Sequence, residues 1–185
     1  MRYNPNIHNR KSIRLKEYNY ALPGEYFITI CTNDKECLFG EIVEEDMKLS
    51  QIGAIVQRYW EEIPKHFPNV GLDAFIVMPN HIHGIIVITN SVGAIHELPL
   101  QGKLPLPMTK QQRRAMLLPK IIGRFKMNSA KEINMFRNTT GSHVWQRNYY
   151  DRIIRDEKEL NNIREYIINN PLQWFFDEEN PANNI

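Results

Sequence analysis

Two apolar segments separated by only two residues place the strongest constraint on the fold of this chain. "LDAFIVM" (72–78) and "HIHGIIVIT" (81–89) are rich in β-branched and aromatic residues, and only "PN" lies between them. A parallel connection between two strands needs a dozen or more residues, whereas two residues suffice for a hairpin. The sequence therefore predicts a tight antiparallel pair of strands at 72–89.

The second of these strands begins with two histidines, His81 and His83. Successive side chains of a strand point to opposite faces, so the two imidazoles share one face and Ile82 points to the other. Imidazoles are costly to bury without partners. They therefore need hydrogen bonds, a metal ion or a solvent-filled cleft, and ordinary hydrogen-bonded core histidines remain the alternative.

The rest of the chain completes a recognisable order of elements. The patterns predict a strand at 25–32, a short hairpin or an irregular excursion at 40–50, a helix capped by Ser50 and stopped by Pro64, and then the strand pair. A second helix at 117–136, a fourth strand at 144–155 and a final helix from Asp156 to Pro171 follow. This order predicts an α+β, ferredoxin-like βαββαβ sandwich with an antiparallel sheet and an additional C-terminal helix. Such a fold has many functions, so it does not determine one.

Length and composition predict one domain with appendages. A chain of 185 residues with 42% hydrophobic content can bury one good core. We expect a basic N-terminal arm at 1–20, a single domain at 21–173 with a flexible loop insertion at 91–118, and an acidic tail at 174–185. Neither a membrane-spanning run nor a secretory signal is evident, and two cysteines are too few for a disulfide scaffold, so we expect a cytoplasmic protein with no membrane partner.

Positive charge is segregated along the chain although the net charge is only +2. Residues 1–20 carry five Lys or Arg against Glu17, and residues 98–131 carry eight against no acid. Segregated positive charge attracts a phosphate backbone. The alternative is that these are merely solvated basic segments.

The final helix carries a tyrosine between two amides. Leu160, Ile163 and Ile167 form a core stripe, and Asn162, Tyr166 and Asn170 recur at every fourth residue on the neighbouring stripe. A histidine pair that holds a divalent ion, with the carbonyl oxygen of Asn170 completing the coordination, would offset phosphate charge and make the phenol a usable nucleophile. A boundary tyrosine without chemistry is the alternative. Tyr150 is a rival nucleophile, but it lacks a comparable ligand on a rigid helix.

These segments resemble a known family. "MPNHIHGII" resembles the HUH motif (histidine, hydrophobic residue, histidine) of single-tyrosine HUH transposases, and "IREYIINNP" resembles their catalytic-helix motif. Together with "RKSIRLKEYNYALPGEYFITICT" and "VWQRNYYDRIIRDEKEL", they bring the chain closest to the REP-associated tyrosine transposases, which are related to insertion-sequence transposases. The resemblance covers roughly 10–171, and the proline-rich loop matches least.

The resemblance implies a function and a site. It makes His81, His83 and Asn170 metal ligands for Mg²⁺ or Mn²⁺, and Tyr166 the nucleophile. The family cuts single-stranded DNA next to hairpins, leaves a 3′ hydroxyl and joins the 5′ phosphate to tyrosine. Related insertion-sequence transposases have glutamine where Asn170 stands, which favours the REP-associated branch. The segment "LQWFF" after Pro171 departs from the lysine and histidine of many members.

The implied partner is hairpin-bearing single-stranded DNA, either a REP-like element or an insertion-sequence end. Lys or Arg side chains are candidates for phosphate contacts and aromatic side chains for stacking on unpaired bases: Arg14, Lys16, Arg124 and Lys126 in the first group, Trp145 and Tyr150 in the second. Core packing is the alternative for Trp145. A homodimer that supplies the tyrosine in cis or in trans stays open, as do a non-catalytic, domesticated hairpin-binding protein and a zinc-dependent hydrolase.

Overall fold

The computed structural model describes residues 19–20, 22–89, 109, 115–177 and 179–183. Six strands are present in this part of the chain: β1 (Gly24–Cys31), β2 (Gly40–Val43), β3 (Asp46–Leu49), β4 (Val70–Val77), β5 (His81–Ile88) and β6 (Tyr150–Ile154). The α-helices are α1 (Gln51–Glu61), α2 (Ile63–His66), α3 (Leu117–Arg137) and α4 (Glu157–Gln173). Short 3₁₀ helices span Asn33–Lys35, Trp174–Phe176 and Pro181–Asn183.

Four of the strands form one antiparallel sheet in the order β4-β5-β1-β6, and β2 pairs with β3 in a separate hairpin. The predicted ferredoxin-like α+β sandwich with an additional C-terminal helix is thereby confirmed. The predicted tight pair is also correct, because β4 and β5 are joined through Pro79 and Asn80, and the N–H of Met78 donates to the carbonyl of His81 at 2.8 Å.

The sheet separates two apolar clusters of unequal size. The larger one packs α1 and α3 against one face, where Ile28 and Ile82 meet Trp60 and Phe125. The smaller one packs α4 against the other face and consists of Phe27, Ile85, Ile154, Leu160 and Ile167. Because side chains alternate along β5, His81 and His83 share the face of Ile85 and therefore lie on the side that α4 covers.

Gly84 follows His83 and lets aromatic side chains approach β5 closely on the opposite face of the sheet. A Cβ atom placed there would lie 2.9 Å from Cε2 of Trp60 and 3.0 Å from Cδ2 of Phe75. The rings of Trp60 and Phe75 are stacked with their centroids 4.9 Å apart, and Trp60 is buried. The absence of a side chain at Gly84 thus leaves room for the indole beside the histidine strand.

Both predicted helix caps are confirmed, and α1 ends at Glu61, just before the predicted stop at Pro64, but the predicted stop at Pro171 is wrong. Ser50 Oγ accepts from the N–H of Gly53 at 3.1 Å, and Asp156 Oδ1 accepts from the N–H of Glu159 at 2.8 Å. Pro64 lies in the first turn of α2, where the missing N–H would be unpaired in any residue. Pro171 lies inside α4, which continues to Gln173. So close to the C-terminal end, proline removes only one intrahelical hydrogen bond before the chain tightens into a 3₁₀ turn.

The predicted fourth strand at 144–155 is too long. Only Tyr150–Ile154 pairs with β1, and Trp145 forms an isolated bridge with Thr32. The N–H of Gln146 still donates to the carbonyl of Cys31 in β1 at 2.9 Å, but the Nζ of Lys126 in α3 donates to the carbonyl oxygens of the three residues at 146–148, and the regular ladder does not extend over them.

The predicted division into arm, domain, loop and tail stays a prediction. Residues 1–18 and most of 91–118 lie outside the described residues, although Leu117 and Leu118 already belong to α3. In the predicted tail, Trp174 and Asn180 are buried, and Nδ2 of Asn180 donates to the carbonyl of Trp174 at 3.0 Å. None of the helices described here is both long enough and apolar enough to cross a membrane.

Candidate metal and tyrosine site

The two histidines face each other inside the protein. His81 is 0% exposed and His83 is 4% exposed, and their Nε2 atoms are 3.0 Å apart. Burial lowers the pKa of His81 to about 4, an effect that the nearby Glu179 partly opposes. Burial and then the neighbouring His81 hold the pKa of His83 well below its ordinary value. Both imidazoles are therefore neutral at pH 7, which is the form that binds metal ions.

Tyr166 approaches the histidine pair from α4, the helix that covers this face of the sheet. Its hydroxyl lies 3.3 Å from Nε2 of His83. Its ring packs edge-on against Phe27, with 6.0 Å between ring centroids, and against His83, with 5.1 Å. The side chain is 41% exposed, so the hydroxyl faces the histidines while the residue stays accessible to a substrate.

Asn170 lies one helical turn beyond Tyr166 and points inward. It is 1% exposed, and its Oδ1 is buried without a hydrogen bond to the residues that the structure describes. The amide lies close enough to His81 to favour the charged imidazole. A buried carbonyl oxygen without a donor is costly, and a cation would satisfy it. This is the position at which the sequence predicts the third ligand.

Asp177 also lies at the histidines, and the sequence did not indicate it. Its Oδ2 is 3.9 Å from Nε2 of His81, and one ligand atom each from His81, His83 and Asp177 fit within 4.8 Å of one another. The Trp174 ring centroid lies 6.0 Å from that of His81. Side chains three residues apart point in the same direction in a 3₁₀ helix, so Asp177 points toward the histidines as Trp174 does. The sequence contains a signal for Asp177: Asn170, Trp174 and Asp177 are spaced so that they share one face of a helix that continues beyond Pro171.

The donor set suits a divalent ion. Two ligands at right angles and about 2.1 Å from an octahedral ion lie about 3.0 Å from each other, and the two Nε2 atoms are 3.0 Å apart. Asp177 offers a carboxylate oxygen within the same 4.8 Å, and Asn170 offers a buried amide oxygen beside His81. Imidazole nitrogens suit Zn²⁺ and similar ions, and oxygens suit Mg²⁺ and Mn²⁺. The mixed set therefore fits a divalent ion without selecting one.

Cys31 lies directly across from His81 in the β1–β5 register. Burial, and then the neighbouring Glu179, raise the pKa of its thiol to about 12. The thiol therefore stays protonated at neutral pH and offers no thiolate to an ion.

Two aromatic residues of the predicted DNA-binding set have different surroundings. Tyr150 begins β6, pairs with Thr29 and lies 6.2 Å from Phe27, ring centroid to ring centroid, on the histidine face. Trp145 is only 6% exposed, and its Nε1 donates to Oγ of Ser129 at 3.0 Å. A ring so deeply buried presents no free face to a base, so the structure favours core packing for Trp145.

The predicted basic contacts do not gather around Tyr166. Arg124 and Lys126 belong to α3, which packs on the opposite face of the sheet. An Nη atom of Arg124 is 3.2 Å from Nδ1 of His66, and Lys126 Nζ is engaged by backbone carbonyls. Arg14 and Lys16 lie outside the described residues.

The fold is shared with a solved transposase. A solved structure of a REP-associated tyrosine transposase bound to a REP hairpin superposes with a TM-score of 0.51 at 15% sequence identity, over 89% of this chain and 74% of that one. A candidate transposase from Deinococcus radiodurans R1 superposes with a TM-score of 0.45 at 16% identity, over 84% of this chain and 97% of that one. No family model matches the sequence.

A protein of Haemophilus influenzae described as uncharacterized is 47% identical over 177 residues, which is 96% of each chain. At that identity and coverage, this chain belongs to the same family as the Haemophilus influenzae protein.

Proposed function

We propose that the protein is a cytoplasmic, metal-dependent endonuclease and strand transferase, a transposase, that acts on hairpin-forming single-stranded DNA through Tyr166. The observation that best supports this proposal is the close approach of Tyr166 to the histidine pair. Residues 83 positions apart in sequence place a phenol oxygen 3.3 Å from one of two imidazole nitrogens that are themselves 3.0 Å apart. The shared fold with a transposase that is bound to a REP hairpin supports the choice of DNA as substrate.

His81, His83 and Asn170 would hold the ion, and Asp177 would add a carboxylate. Mg²⁺ or Mn²⁺ would supply a positive charge that polarises a non-bridging phosphate oxygen and offsets the charge of the transition state. Burial keeps both imidazoles neutral, so neither must lose a proton before it binds. The buried Oδ1 of Asn170, which lies at His81, would face the ion.

Tyr166 performs the covalent step. Its phenol oxygen forms a bond to phosphorus, and the bond from phosphorus to the 3′ oxygen of the preceding nucleotide breaks. The half-exposed side chain lets water take the phenol proton, and the departing 3′ oxygen takes a proton from water. One phosphodiester replaces another, so no co-reactant is needed. Attack by a second 3′ hydroxyl on the phosphotyrosine reverses the step and joins the strands.

The partner and the remaining contacts are part of the proposal. We assign Arg14, Lys16, Arg124 and Lys126 to DNA phosphates and Tyr150 to an unpaired base; of these, Tyr150 shares the histidine face of the sheet. Trp145 would act through the core rather than by stacking. A homodimer is compatible with this chemistry but is not required by it, because the histidines and Tyr166 meet within one chain.

A cleavage assay tests the proposal. Labelled hairpin oligonucleotides with single-stranded flanks are incubated with Mn²⁺ or Mg²⁺ and resolved on denaturing gels. We expect cleavage and a protein-linked product with the unaltered protein, and none with chelator. Tyr166→Phe should lower the rate at least about a thousandfold and leave hairpin affinity within about twofold, since only a hydroxyl is lost. Tyr150→Phe removes a hydroxyl on the same face but keeps the ring that would stack on a base, so it is the matched control and should cleave.

The other outcomes identify other functions. Tight hairpin binding without cleavage in both metals would indicate a non-catalytic, domesticated hairpin-binding protein. Cleavage that persists in Tyr166→Phe and depends on zinc would indicate a hydrolase in which water, not tyrosine, attacks the phosphate.

A further inference from the structure

Asn80, the last residue of the turn before His81, is completely buried and makes hydrogen bonds in three directions. Its Nδ2 donates to the carbonyl of Lys35 at 3.1 Å and to the carbonyl of Glu179 at 2.7 Å, and its Oδ1 is 2.9 Å from Nδ1 of His81. Two carbonyl acceptors can only be served by the NH₂ group. The orientation of the amide is therefore fixed, with its oxygen toward His81.

The fixed amide determines where His81 carries its proton. An amide oxygen only accepts, so Nδ1 of His81 must be the protonated nitrogen that donates to it. A neutral imidazole has one N–H, which leaves the lone pair on Nε2. That lone pair points at the place where Nε2 of His83 and Oδ2 of Asp177 meet, at 3.0 Å and 3.9 Å.

His83 has a partner of a different kind. Its Nδ1 is 2.9 Å from Oγ1 of Thr29, the residue opposite it in the β1–β5 register. A hydroxyl can donate or accept, whereas the Asn80 oxygen can only accept. Without a cation, a bare Nε2 on His83 would face the lone pair of His81 at 3.0 Å even if it accepted the Tyr166 hydroxyl hydrogen at 3.3 Å. A proton on Nε2 of His83 removes this repulsion, and Nδ1 then accepts the Thr29 hydroxyl hydrogen.

We propose that Asn80 and Thr29 are positioning residues for the metal site: Asn80 holds His81 in its Nδ1–H form at all times, and Thr29 lets the His83 proton relocate from Nε2 to Nδ1 when an ion binds. The second half rests on the proposed metal site, whereas the first does not. Ion binding thus frees the Nε2 lone pair of His83, and the Thr29 hydroxyl changes from donor to acceptor. Partners of this kind orient ligands and commonly change metal affinity by about 10- to 100-fold.

Nitrogen NMR of the full chain with ¹⁵N-labelled histidines tests the roles of both Asn80 and Thr29 without a mutation. In the metal-free protein we expect His81 to be protonated at Nδ1 and His83 at Nε2. Addition of Zn²⁺, a diamagnetic probe, should leave His81 unchanged and move the His83 proton to Nδ1. Protonation of His81 at Nε2 in the metal-free protein would overturn the role of Asn80. A His83 already protonated at Nδ1 without metal would overturn the role of Thr29.

Metal affinity provides the second readout. Thr29→Val keeps the shape and removes the hydroxyl, so the dissociation constant for Mn²⁺, measured by electron paramagnetic resonance, should rise about tenfold or more. Thr29→Ser restores the hydroxyl and should stay within about twofold of the unaltered protein. Equal affinity in Thr29→Val and Thr29→Ser would contradict the proposal.

Failure of this inference differs from failure of the proposed function. If no ion binds, the proposed metal site fails, yet the metal-free spectra still decide the role of Asn80. If ions bind with the expected change at His83 but DNA is not cut, the positioning roles stand and the transposase proposal fails.

Discussion

The hydroxyl of Tyr166 lies 3.3 Å from Nε2 of His83, although 83 positions separate the two residues in sequence. Two features of the fold produce this contact. The alternation of β5 puts His83 on the face that α4 covers, and the spacing of α4 turns Tyr166 toward that face beside the buried Ile167. A tyrosine and a histidine pair are thereby held on rigid elements rather than on loops.

Asp177→Asn should weaken metal binding at the histidines. The substitution keeps the size of the side chain and removes the carboxylate charge that lies 3.9 Å from His81. We expect the Mn²⁺ dissociation constant to rise about tenfold or more, because ligand charge contributes strongly to cation affinity. Asp46→Asn, on the exposed β2–β3 hairpin, is the control and should change nothing. An unchanged constant in Asp177→Asn would remove Asp177 from the site.

Gly84→Ala should destabilise the protein, and Gly123→Ala should not. A methyl group at Gly84 would press on Trp60 and Phe75, so we expect a loss of about 1–3 kcal/mol in the free energy of unfolding. At Gly123 in α3 nothing lies within 4 Å, and alanine in an exposed helix should add up to about 1 kcal/mol. Urea denaturation of both variants measures the difference. Equal stability of the two would contradict the packing described for β5.

The contact between α4 and β4 should make a pH-dependent contribution to stability. Arg164 Nε donates to Oδ1 of Asp73 at 2.9 Å, and this hydrogen bond is the main cause that lowers the pKa of Asp73 from 3.8. A carboxyl whose pKa is lowered in the folded state contributes stability above its unfolded pKa, and the contribution disappears as the pH falls through the folded pKa.

We therefore expect Asp73→Asn to lower the melting temperature by roughly 1–3 °C at pH 7, since an exposed ion pair contributes little. The difference between the two proteins should shrink as the pH falls below about 4. Thermal melts at pH 7 and at pH 3 give the comparison. A difference that grows toward low pH would show that the ion pair is not its source.

Much of the fold and part of the site could be predicted from local patterns. The apolar runs around "PN" sufficed for the β4–β5 hairpin, and Ser50 and Asp156 sufficed for two helix starts, because these features depend on residues close in sequence. The core stripe of α4 was likewise visible in its spacing, and Leu160 and Ile167 are buried as it requires.

Other features could not be predicted because they depend on distant partners. The stretch before Tyr150 has the pattern of a strand, but after the bond from Gln146 to Cys31 the regular ladder is interrupted and Lys126 of α3 binds the carbonyls of residues 146–148. Asp177 was missed because the sequence analysis ended the final helix at Pro171. In the structure α4 continues through Pro171, and the chain that follows it brings Asp177 to His81. The role of Asn80 was invisible because its amide is fixed by the backbone of Lys35 and Glu179, both remote in sequence.

The most direct measurement identifies the residue that becomes joined to DNA. The protein is incubated with a single-stranded hairpin library and Mn²⁺, digested with trypsin, and analysed by mass spectrometry for peptides that carry a nucleotide. We expect a 5′-phosphate adduct on Tyr166 that is absent with chelator. An adduct on Tyr150, or tight hairpin binding with no adduct in either Mn²⁺ or Mg²⁺, would contradict the role proposed for Tyr166.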